Sequence, residues 1–235
     1  MPVRNIPDFA RTTFGHIDHR DARFLIEKFP APGRSYQEIA ELIDALPLTL
    51  ESSLNSDWLF DSIFDQKQKL LDISPFLLFS VLLRRCWEGS PGTEDRKVLN
   101  YLANLLSLFV HGDRMHRVEA HDREEHSYLT ALIEEALQAD SRRQFLIHSH
   151  IGNYSLFLTG IFPHWVDHRH RYRKRPANLR TYIDFGSGYF QQASTHGLAR
   201  EYGLQGVFLR LAMMFDEYRS LLNRMASNYL QPQWG

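Results

Sequence analysis

From Ser35 onward the apolar residues recur at helical spacing, and no segment alternates polar and apolar positions long enough to form a strand. That pattern removes sandwiches, barrels and doubly wound sheets. It leaves a chain that must bury its apolar stripes helix against helix. Ser35-Tyr36-Gln37-Glu38 reads as a capping box, and Ile39, Leu42, Ile43 and Leu46 form an inward stripe that Pro47 ends. A second helix is expected over 57–71, capped by Ser56 and turned inward through Leu59, Phe60, Ile63, Phe64 and Leu70. Ser74-Pro75 joins a capping hydroxyl to a proline at the first helical position. The helix that follows, to about Trp87, is apolar on nearly all sides, as a central helix is.

The next helix is expected to start at Thr93 as its cap, with an inner face running from Val98 and Leu99 to Phe109 and Val110. Others are expected over 124–139, from a capping box at Ser141-Arg142-Arg143-Gln144 to Ile161, from Asn178 to Ser194, and from Leu204 to Tyr229. A short segment over 163–171 lies between them. Residues 1–34 hold Pro2, Pro7, Pro30, Pro32 and Gly33 with little periodicity, which predicts an irregular N-terminal arm with one short helix near Asp21–Glu27. The expected fold is all-α: a single-domain multi-helix bundle of about seven to nine helices over 35–235, behind an arm over 1–34.

Composition then limits function. A chain of 235 residues with 43% hydrophobic and 23% charged residues can build a core and is too apolar for disorder. Its net charge of −1 supplies no global field toward nucleic acid or an acidic membrane. Cys86, the single cysteine, lies on an apolar helix and reads as a core thiol with no internal disulfide to make. The longest apolar runs, either side of Ser80, fall far short of the roughly 20 residues of a membrane span. Met1-Pro2-Val3-Arg4-Asn5 is not followed by the apolar stretch of a signal peptide, so a cytoplasmic protein with no membrane partner is expected.

Four polar groupings could carry chemistry. Within the apolar helix over 141–161, positions 146, 150, 153 and 157 share a face, so His150 and Asn153 point together, with Tyr154 beside them. Asp184 and Gly188 share a face of the helix over 178–194. A His150–Asp184 hydrogen bond, with Tyr189 near, would make a small buried network: a ligand pocket, an acid–base pair, or a device that fixes helix packing. Gly152, Gly160 and Gly188 would let backbones approach.

Twelve histidines raise the question of metal. His164 and His168 lie one turn apart, about 40° around a helix, and His170 follows; the three could offer ligands to a divalent metal, although a zinc site needs a full set and no His-Glu-x-x-His pattern is present. No cofactor is otherwise expected. His121-Asp122 resembles the dyad of the HD phosphohydrolases, all-α metal enzymes, but the likeness covers two residues. That family needs a further His on an earlier helix and an Asp on a later one, and His111 and His116 stand too close to supply the first. Finally, Arg169, Arg171, Tyr172, Arg173, Lys174 and Arg175 make the one dense basic run, interleaving Arg with Tyr as phosphate and base contacts require, without a recognition-helix signature around it.

Three functional readings follow. The first is a non-catalytic helical protein that binds a small ligand or a protein partner, a second copy of itself included, with residues such as Trp234 available for another buried face. The second is a metal-assisted hydrolase-type enzyme using His150, Asn153 and Asp184. The third is a nucleic-acid accessory protein using the basic run, against which the near-zero net charge stands.

Overall fold

A computed structural model describes residues 6–13, 18–30, 35, 37–39, 41, 47–64, 72–122, 129–172 and 177–230, without the side chains of 47–49 and 172. The fold is all-α, with more helices than the seven to nine expected. In chain order they are α1 (His19–Lys28), α2 (Pro47–Leu54), α3 (Asp57–Phe64), α4 (Pro75–Cys86), α5 (Thr93–Phe109) and α6 (Leu129–Gln138). There follow α7 (Ser141–Ile161), α8 (Pro163–Tyr172), α9 (Leu179–Thr195), α10 (Gly197–Glu201), α11 (Gln205–Met213) and α12 (Phe215–Met225). Among the described residues no helix is long and apolar enough to cross a membrane.

Local chemistry sets most of these boundaries. Ser74 accepts from the Leu77 amide at 3.1 Å with Pro75 behind it, and Asn178 accepts from the Thr181 amide at 2.9 Å. The Ser35 box closes as read: the Ser35 amide donates to Glu38 Oε2 at 2.7 Å and the Glu38 amide donates to the Ser35 hydroxyl. Leu42, Ile43, Leu46, Leu70 and the segments 65–71 and 123–128 lie outside the described residues. Pro47 opens α2 rather than merely ending a helix, since a proline is well placed at a first helical position. Two caps are displaced by one residue. Asp140, not Ser141, accepts from the Arg143 amide at 2.8 Å, and Gly92 rather than Thr93 precedes α5. Val110, expected inside, lies beyond the end of α5 and is 57% exposed.

The arm is more regular than its prolines indicated. It forms a 3-10 turn at Asp8–Ala10 and then α1, which buries Phe24, Leu25 and Ile26. Asp8 is held by Arg114 at 2.6 Å, and Asn104 donates to its carbonyl. Asp21, also buried, accepts from the amide and hydroxyl of Ser74, both at 2.6 Å, tying α1 to the start of α4.

Two apolar clusters share α4. Leu77 and Val81 face a smaller cluster with α1, α2 and α3, while Phe76, Phe79, Leu82 and Leu83 face the main core. At the centre of that core runs α7, buried on every side, against α6, α8, α9 and α12. Close approach is what its glycine permits: a Cβ on Gly152 would stand 2.7 Å from the Phe190 ring of α9. The expected single rod over 204–229 is broken at Met214, at φ −118° and ψ 35°, and a π turn ends it at Ala226–Leu230. The apolar stripe passes through the break without interruption. Tertiary packing imposes the break: α11 lies on α5 and α9, whereas α12 lies on α4 and α7.

Candidate functional site

The inward polar groups of α7 are where helical spacing placed them, and their partners differ from those expected. Asn153 and His150 are buried. The Asn153 Oδ1 accepts from the Tyr101 hydroxyl of α5 at 2.7 Å, and burial pushes that phenol well above its ordinary range. His150 lies edge-on to Phe109 at 6.1 Å and stacks with Tyr154 at 6.3 Å. Tyr154 also meets the rings of His116 and Tyr182, and burial raises its pKa to about 12 against a smaller opposing effect of Arg169. The hydroxyls of Ser149 and Thr159 are spent on carbonyls of their own helix, at 2.8 and 2.7 Å.

Asp184 does not join them. Its side chain is 57% exposed and pairs with Arg180 one turn earlier at 3.0 Å. The reason is rotational. Helix α9 turns Gly186, Phe190 and Ala193 inward, and 184 and 188 lie about 160° around the helix from 186. The His150–Asp184 hydrogen bond is therefore absent, and Gly188 has open space above it rather than a neighbouring backbone. Tyr189 flanks the interface and packs on His148 at 5.1 Å, so His148, rather than His150, faces α9 there. Burial, with His196 adding to it, lowers the pKa of His148. His196 contacts Ser141, its Nε2 3.0 Å from the hydroxyl. Its Nδ1 accepts the Leu198 amide, so Nε2 carries the proton and donates to Ser141, the reverse of what activates a serine nucleophile.

The metal expectations fare differently from each other. His164 and His168 lie on the exposed side of α8 and His170 is half-buried, and their ligand atoms do not converge with a third group among the described residues. Glu119, His121 and Asp122 do converge, within 4.8 Å. Two arginines already neutralise that group: Arg142 holds Glu119 and Arg143 holds Asp122, each at 2.8 Å, and Asp122 also accepts the Glu119 amide. Burial raises the Asp122 pKa, but these bonds together outweigh it and the net shift is downward. In the basic run, Arg169 lies over the Trp165 ring at 4.4 Å and Arg171 is exposed. The Tyr172 side chain and Arg173, Lys174 and Arg175 fall outside the described residues, as does Trp234.

A site that sequence reasoning missed lies between α2, α4 and the start of α5. Arg84 occupies the same stripe of α4 as Leu77 and Val81, which carries a guanidinium into the interior with no exposure of its side chain. Its charge is met by Glu51 of α2 in a two-pronged pair, Nε and Nη2 each 2.8 Å from a carboxylate oxygen. Asn100 accepts a second bond from Nη2, and the Ser80 carbonyl accepts one from Nη1. Above this pair opens a cleft of about 440 Å³, walled by Arg84, Arg85, Trp87 and Arg96 with Glu51 at its base.

No known protein family, curated protein or solved structure matches this chain.

Its three arginines face one carboxylate. Arg85 pairs with Asp57 and lies over Phe60 at 4.7 Å. Arg96 gives only its Nε, to the Pro91 carbonyl at 3.2 Å, and stands 3.9 Å from Glu51. Its terminal nitrogens form no hydrogen bond with any described residue, and its side chain is 36% exposed. Trp87, half-buried and stacked on Tyr218 at 6.2 Å, gives the cleft one rigid apolar wall. One signal was present in the sequence: an arginine inside the Leu77–Val81 stripe demands an acid. Nothing in the sequence could identify that acid as Glu51, 33 positions earlier.

Proposed function

We propose that this chain is a helical binding protein that holds an anionic group of its ligand, a carboxylate or a phosphate, in the cleft between α2, α4 and α5. The observation that carries the reading is Arg96: a half-exposed guanidinium with uncommitted terminal donors, at the mouth of a cleft in which positive charge exceeds negative. A guanidinium fork matches both oxygens of a carboxylate or phosphate at once. The buried Arg84–Glu51 pair beneath fixes the floor, so the cleft need not assemble on binding. Trp87 supplies apolar contact beside the charge, as ligand sites of a few hundred cubic ångströms do.

The test is calorimetric titration with succinate and with inorganic phosphate at low ionic strength, on the natural chain and on Arg96→Ala. Saturable binding of either anion that the substitution weakens at least tenfold supports the reading. Equal binding to both proteins, or to neither, overturns it.

A further inference from the structure

Trp87 is covered on one side only. It stacks on Tyr218, which is fully buried, with ring centroids 6.2 Å apart and planes 27° from parallel. No other ring or cation among the described residues stacks on it, so its solvent-facing surface is the opposite face and the ring edge. The indole N–H makes no hydrogen bond with a described residue, and neither do the hydroxyls of Ser52 and Ser90 in the same cleft. Asn55 commits its amide nitrogen to the Glu51 carbonyl at 2.7 Å and keeps its oxygen for a donor. Glu51 itself is neutralised by Arg84. One cleft thus holds an open guanidinium, a bare aromatic face and several uncommitted polar groups. Its volume of about 440 Å³ leaves room beyond a single phosphate and falls within the roughly 300–1,000 Å³ of small-molecule sites.

Deepening the anion-binding reading, on which it rests, we infer that the ligand of this cleft is a free nucleoside monophosphate. Its phosphate takes the Arg96 fork, its base stacks on the open face of Trp87, and its ribose hydroxyls meet Ser52, Ser90 and Asn55. A base supplies the flat ring that an aliphatic acid lacks, and stacking on an aromatic side chain tolerates any base. Rotation about the glycosidic bond and the 5′ carbon lets base and phosphate adjust to the walls. The match is therefore one of chemical groups, and no fixed spacing is required. A nucleic-acid strand fits less well, because the net charge of −1 gives a polyanion no track beyond the cleft.

Calorimetric titration of the natural chain with AMP, ribose 5-phosphate, adenosine and inorganic phosphate at low ionic strength tests this. AMP is expected to bind about tenfold tighter than ribose 5-phosphate, and adenosine at least tenfold weaker than AMP. Trp87→Leu should abolish the advantage of AMP while leaving ribose 5-phosphate binding unchanged, which also verifies that the variant is folded. Trp87→Phe, which keeps a ring against Tyr218, should retain most of that advantage. A 5′-phosphorylated dinucleotide should bind no tighter than AMP, and tighter binding overturns the free nucleotide in favour of a strand end. Equal affinity for AMP and ribose 5-phosphate, or an AMP advantage that survives in Trp87→Leu, overturns the nucleotide and leaves the anion cleft standing. Failure of AMP and inorganic phosphate alike to bind overturns both.

Discussion

Replacing Gly186 by alanine is expected to destabilise the protein, whereas the same change two residues on, at Gly188, is expected to stabilise it. A Cβ at 186 would stand 2.5 Å from the Phe215 ring and 2.8 Å from the Ser155 Cβ. Ordinary carbon contacts lie at about 3.5–4.0 Å, and neither neighbour has room to retreat. Phe215 is 4% exposed, and the Ser155 Cβ is fixed to the backbone of the central helix. Overpacking of this kind costs about 1–3 kcal/mol, from which the better helix propensity of alanine recovers roughly 0.5–1 kcal/mol. The net loss is up to about 2.5 kcal/mol, a fall of as much as roughly 10 °C in melting temperature at this chain length. A Cβ at Gly188 meets nothing within 4 Å, so only the propensity gain remains and the melting temperature should rise by about 1–4 °C. Thermal unfolding followed by circular dichroism reads both. If the signs are reversed, α9 is rotated half a turn from the orientation described, and Asp184 returns to the interior beside His150.

Three further expectations concern buried polar groups. Tyr101→Phe leaves the Asn153 oxygen without its donor and should cost about 1–3 kcal/mol in urea unfolding; no loss would show that a replacement donor reaches Asn153. Glu51→Ala strands the Arg84 charge and should cost about 3–5 kcal/mol, and adding Arg84→Met should recover part of it, because removing both members of a buried pair costs less than removing one. Equal stability of single and double variants would refute that coupling. His148 holds a pKa below its usual value of 6.5 in the folded protein, so the unfolded chain binds the proton more tightly. Stability from this group is present above pH 6.5 and is lost as pH falls through the lowered value. Between pH 7.5 and 6 the melting temperature of His148→Gln should therefore decline less than that of the natural chain, and parallel declines would contradict the assignment.

The parts of this fold legible in sequence are those that local chemistry decides. Ser74-Pro75 and Asn178 cap their helices through bonds within three residues of themselves, and the inward set of α7 follows from a 3.6-residue period. The capping box read at Ser141 falls one residue late, because Asp140, a residue type that caps equally well, takes the Arg143 amide. What sequence could not supply was rotation and partnership between distant helices. Asp184 and Gly186 are two residues apart, yet one faces solvent and the other the core, and only the packing of Phe215 and Ser155 decides which. The break at Met214 left no mark in the apolar stripe because both halves keep the same periodicity while docking on different neighbours. The arginine cleft was hidden for the same reason: Glu51, Arg84 and Arg96 converge from three helices.

The central claim is that Arg96 and Trp87 border an anion site. The most direct measurement is a 1H–15N NMR titration with succinate that follows the Trp87 indole N–H and the Arg96 Nε–H. Both signals should shift together along one saturation curve, while the indole of Trp165, on α8, stays in place. Shifts centred on Trp165, with Trp87 and Arg96 unmoved, would contradict it.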